Sequence, residues 1–127
     1  MAIAVTALHP NTTIQAPGLS IYSGIAECLF VGPATGIARD TLSFILPAPR
    51  ISLAHQPIEA SCVVSLASFA FDGPVSDALW AVDSTSVTTV NEDRGTGTAQ
   101  LEVFANLAVR GLHGLILRVN YSVYVRQ

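Results

Sequence analysis

The sequence contains no lysine, and its six basic residues are all arginine: Arg39, Arg50, Arg94, Arg110, Arg118 and Arg126. Schiff-base chemistry, lysine general bases and lysine-dependent phosphate loops are therefore excluded. Compositional bias in the coding genome is explanation enough for the absence. Charge is scarce altogether, at 12% of the chain against about 25% in ordinary soluble domains. Nine acidic residues against six basic ones leave a net charge of −3. That balance offers no electrostatic footprint for nucleic acid or for an anionic membrane. The only methionine is Met1, which removes a copper site built from Cys, His and Met.

Long apolar runs are also missing. Gly, Pro, Ser or a charge interrupts every stretch before the roughly 20 residues that a spanning helix requires. The opening segment Met1 to Leu8 is apolar but brief, and no basic residue precedes it, so no secretory signal is expected. The localisation is otherwise open. Cys28 and Cys62 allow at most one bridge, and both sit in apolar runs. Free, buried thiols are the expectation, with a disulfide as the alternative. Asn11-Thr12-Thr13 and Asn120-Tyr121-Ser122 match the glycosylation sequon, a match of little weight without a secretion signal.

Half of the residues are apolar, and their spacing is informative. From Leu115 the odd positions Leu117, Val119, Tyr121, Val123 and Val125 are apolar. Arg118, Asn120, Ser122 and Arg126 fall between them. A period of two predicts a strand with one face in the core. Leu101, Val103, Ala105, Leu107 and Val109 alternate in the same way, although Leu101, Phe104, Ala105 and Ala108 would also share one helical face. The glycine-bearing Arg110 to Gly114 connection is of hairpin length and favours the strand. Ala78 to Val90, rich in Val, Thr and Ser, predicts a further strand before the solvated loop Asn91 to Gly97. The carboxy-terminal half is thus expected to be a three-stranded meander.

Upstream, Ile58, Ala60, Cys62, Val64 and Leu66 share a face before the parity switches to Phe69 and Phe71. A bulge near Ala67 explains the switch. Leu42, Phe44 and Leu46 alternate until Pro47-Ala48-Pro49, and Ile51 with Leu53 predicts a short edge piece. Leu19 to Val31 gives one or two strands around Gly24, and Ile3, Val5 and Ala7 predict a short first strand. The expected fold is all-β: residues 1–127 as a single-domain antiparallel β-sandwich of seven or eight short strands, immunoglobulin-like or jelly-roll-like. The resemblance to immunoglobulin-like sandwiches is one of fold only. The Cys, Trp, Cys order of antibody domains is absent, because Trp80 follows both cysteines.

No constellation proposes an enzyme, a metal site or a cofactor. His9, His55 and His113 are scattered among expected loops without ligand spacing. Asp72, Asp77 and Asp83 lack the alternate spacing of a calcium loop. Ser20, in Gly18-Leu19-Ser20-Ile21-Tyr22, has only the first glycine of a nucleophile elbow, and no helix is expected after it. Gly32 to Gly36 contains a proline and no lysine, so it is no phosphate cradle, and Arg39-Asp40 beyond it reads as a local ion pair.

Two functional classes remain. The first is a non-enzymatic structural or assembly protein, a β-sandwich subunit of a homo-oligomer, coat, tail or filament. A small chain short of charge must cover its surface with apolar side chains, and Phe104, Ile116 and Tyr124 fall on outward positions. The second is a carbohydrate- or small-ligand-binding module using Trp80, Tyr22 or Tyr124 on exposed faces. Trp80 is read more readily as a core plug between sheets.

Overall fold

Alternation of apolar and polar residues becomes eight β-strands in the computed structural model, which describes residues 2–31, 37–46, 50–54, 58–71, 79–110 and 114–127. In chain order these are β1 Ala2–Ala16, β2 Leu19–Val31, β3 Ala38–Ile45, β4 Ile51–Ser52, β5 Glu59–Phe71, β6 Leu79–Asp93, β7 Thr98–Arg110 and β8 Gly114–Arg126. No helix occurs among the described residues. The fold is a β-sandwich, as the alternation predicts. Six of its strands run for 13 or 15 residues and β3 for 8, so they are not short.

The first sheet is centred on β7, which pairs with β6 on one side and with β3 and β4 on the other. The second sheet has the order β1-β2-β8-β5 and is antiparallel throughout. The strand β1 serves both sheets. Ala2 to Ala4 run parallel to Thr41 to Ser43 of β3, and from Val5 onward β1 pairs with β2. Along the opposite side of the sandwich, the Thr85 hydroxyl of β6 donates to the Cys62 carbonyl of β5 at 3.2 Å. Both seams between the sheets are thereby joined.

One shared core fills the space between the layers. Leu42, Leu101 and Val103 from the first sheet and Cys28, Leu117, Val119, Val123 and Val125 from the second are almost wholly removed from water. Phe44 and Tyr121 meet across the layers with ring centroids 5.0 Å apart, within the range of favourable tilted aromatic pairs. The Tyr121 ring lies against Gly24. A Cβ at Gly24 would come within 2.5 Å of both the Tyr121 hydroxyl and the His9 carbonyl oxygen. Gly24 is thus required by close approach, in keeping with glycine inside a strand.

The expected meander is corrected in one respect. β6 and β7 pair as a hairpin, but β7 and β8 lie in different sheets. The two edges of β8 are taken by β2 and β5, so none is left for β7. Alternation shows which face of each strand is buried. It does not show which strand lies alongside, and the two segments fit opposite walls of one core equally well. The helical alternative for Leu101 to Ala108 is set aside by β7. The first strand is much longer than the segment Ile3 to Ala7. It passes through Pro10 with register shifts between Val5 and Ala7 and between Pro10 and Thr12. Bulges of this kind let an edge strand carry a proline. His9 is accordingly a strand residue rather than a loop residue. The bulge anticipated near Ala67 is present, between Leu66 and Ser68.

Candidate functional surface

The candidate surface is built from the outward residues of β1, β2, β8 and β5. Directly paired residues point to the same side of a sheet, so the register places Ile14, Ile21, Tyr124 and Ser61 in one row. On the side of the hairpin turn, Leu19, Arg126 and Glu59 form the next row. On the other side come Ser23, Ser122 and Val63, then His9, Ile25, Asn120 and Ser65, and then Glu27 beside Arg118. The hairpin that sets the β1–β2 register turns through Pro17 and Gly18. Gly18 has φ of 75°, the conformation wanted after a proline in such a turn.

This face is poor in charge and rich in apolar groups. The Arg118 Nε donates to the Glu27 carboxylate at 2.7 Å, which neutralises that pair locally. Between the row of Glu27 with Arg118 and the row of Arg126 with Glu59, the intervening rows carry Ile, Val, Tyr, Ser, Asn and His9. Ile14, Val63 and Tyr124 are 54%, 59% and 39% exposed, and Leu29 farther along β2 is 53% exposed. The strand β2 is apolar on both faces. Tyr22, Ala26 and Cys28 enter the core, and Leu19, Ile21, Ile25 and Leu29 point outward. An antiparallel strand with one solvated face normally alternates apolar with polar residues, and β2 does not.

At the hairpin end of the face, Leu19, Ile21, Glu59, Ser61, Tyr124 and Arg126 line a shallow depression of about 440 Å³. An aromatic ring beside a carboxylate, a hydroxyl and a guanidinium has the chemical means to stack on a sugar and bond its hydroxyls. On the opposite outer face, formed by the first sheet, five polar groups are bonded among themselves across the strands. Arg39 pairs with Asp83 at 3.1 Å. Thr41 donates to the Asn106 side-chain oxygen, and the Asn106 amide donates to Ser84, both at 2.8 Å. Arg39 therefore reaches across β7 to Asp83, correcting the expected pairing with Asp40. The Asp40 carboxylate instead accepts from the Thr41 backbone N–H. Adjacent residues on a strand point to opposite faces, which is why the sequential pair does not form.

The sequence-predicted site residues are not brought together. Tyr124 is exposed as expected, toward the hairpin end of the surface just described. Tyr22 is buried, and its expected place on an exposed face is corrected. It has the inward parity of Ala26 and Cys28 and stands opposite Val123. Trp80 is the second residue of β6, opposite Val109, and its side chain lies outside the described ones. Ile116 stands opposite Leu29 in the second sheet, its side chain likewise outside those described. Phe104 is half-buried on the outer side of the first sheet between Ser43 and Ser86. It cannot join Tyr124 in one patch, because β7 and β8 occupy opposite layers. The residues that sequence reading missed are Ile14, Ile21, Ile25, Leu29 and Val63. The signal for Val63 was an apolar side chain at a position whose parity called for a polar one, and for the β2 residues it was apolar side chains at both parities.

Reactive groups are sequestered. Cys28 is a buried free thiol, and burial, aided by the neighbouring Glu27 charge, pushes it up to about 11. Cys62 is free and half-buried. Burial also raises the Tyr121 phenol. Ser20 lies within β2, with strand on both sides and no helix following it. Among the described residues, no three of His, Cys, Asp and Glu come together as metal ligands, and no helix is long and apolar enough to cross a membrane. His9 is exposed on β1, and His55 and His113 lie outside the described residues. Comparison with known proteins returns no matching family model, no matching curated protein and no matching solved structure.

Proposed function

We propose that this chain is a non-enzymatic structural subunit, a β-sandwich that works by assembling with further copies of itself. One observation carries the reading: β2 presents apolar residues on both faces, with Ile21, Ile25 and Leu29 outward on a sheet whose other outward positions add Ile14, Val63 and Tyr124. A strand apolar on both sides is normally covered on both sides. The chain has few charges with which to keep such a face in water, at 12% of its residues. Contiguous apolar patches mark interaction sites, and symmetric homo-oligomers are the commonest soluble assemblies. Sedimentation equilibrium is the test. The expected result is a mass at least twice 13.3 kDa, and a monomer at all concentrations would overturn the reading.

A second reading, a carbohydrate-binding module, is favoured by the Tyr124 depression with Glu59, Ser61 and Arg126 around it. A glycan array separates the two. Binding to a defined saccharide that is lost in Tyr124→Ala would establish the second reading, and an array without signal would dismiss it.

A further inference from the structure

We infer that the outer face of the β1-β2-β8-β5 sheet is the contact by which two copies of this chain join face to face, an inference that rests on the subunit reading. The size of the face fits. Four strands about 4.8 Å apart and about 13 residues long span roughly 19 by 44 Å, on the order of 800 Å² in projection. Each partner in a standard-size stable interface contributes about 800 Å².

The chemistry of the face selects a second copy over an unrelated partner. Association between unlike proteins is commonly specified by complementary charge, and the middle of this face offers none. The fixed charges lie in two rows, Arg126 with Glu59 at the hairpin end and Glu27, which already holds Arg118, about two-thirds of the way along β2. Between them stand Ile21, Ile25, Val63 and Tyr124, with Ser23 and Ser122 in the central row. Small serines at the centre let two sheets approach closely, and the flanking aliphatic groups find matching groups on an identical face. A two-fold contact brings a patch against itself, so it needs no second, differently charged surface. The opposite outer face is a poorer candidate, because Arg39, Asp83, Thr41, Asn106 and Ser84 are bonded among themselves across its strands.

Two variants and one cross-link test the face separately from the existence of an oligomer. Val63→Asp places a carboxylate at a position 59% exposed in the single chain, so the fold should survive. The dissociation constant should rise by at least about a hundredfold, since an unpaired charge would be buried on association. Ser86→Asp, on the other outer face, should leave it unchanged. Ser122→Cys should yield a disulfide-linked pair under mild oxidation, and this readout also decides the matter if Val63→Asp fails to fold. An oligomer untouched by Val63→Asp, dissociated by Ser86→Asp or not linked through Ser122→Cys would overturn this face while leaving the subunit reading intact. A native monomer would overturn both.

Discussion

Replacing Gly24 with alanine tests the packing at the centre of the sandwich, because two effects of opposite sign compete there. Alanine inside a strand should stabilise by roughly 0.5–1 kcal/mol over glycine through the smaller entropy of the unfolded chain. Against this, the added Cβ would lie 2.5 Å from the His9 carbonyl oxygen and 2.5 Å from the Tyr121 hydroxyl. One of those atoms belongs to the backbone of β1. The other ends a ring wedged against Phe44, 5.0 Å between centroids. Neither can retreat without moving a strand or opening the inter-sheet stack. Overpacking of this kind costs about 1–3 kcal/mol, sometimes more. The net expectation is a loss of about 2 kcal/mol, or a melting point lowered by about 8 °C in a domain of this size. Urea unfolding followed by circular dichroism measures it. An unchanged or higher midpoint for Gly24→Ala would refute the close packing of Gly24 under Tyr121.

Leu42→Ala should destabilise by about 2–5 kcal/mol in the same assay, since Leu42 is fully buried and the cavity would be walled by both sheets. Arg126→Ser, at an exposed position, should change stability by less than about 0.5 kcal/mol in the isolated chain, and a larger loss would show that its face is covered. Cys28 should react slowly with a thiol reagent at pH 8 and rapidly once unfolded. Its folded thiol titrates at about 11 rather than the ordinary 9.0, so only the unfolded chain ionises between those values. Stability from this group is therefore intact below about pH 9 and is lost as pH rises through about 11. A chemical-denaturation series across that range should show the decline shrinking in Cys28→Ala.

The strands and their buried faces were legible because period-two alternation is a local property. β8 shows it from Leu117 to Val125, and the bulge before Ser68 announced itself as a parity switch. Strand partners were not legible. β7 and β8 look like a hairpin along the chain, and only competition for the edges of β8 separates them. The length of β1 was hidden because Pro10 and Asn11-Thr12-Thr13 read as a loop, although a bulged edge strand accommodates them. Tyr124 could be placed outward by parity. The patch around it could not, because Ile14, Ile21 and Val63 come from three segments that only the register aligns. Tyr22 was misplaced for a related reason: β2 is apolar on both faces, so its alternation does not say which face is the inner one.

That the chain is built to be a subunit is tested most directly by multi-angle light scattering of the native protein eluting from a size-exclusion column at micromolar concentration. The predicted result is a single species whose mass is a whole multiple, twofold or higher, of 13.3 kDa. A single species at 13.3 kDa would contradict it.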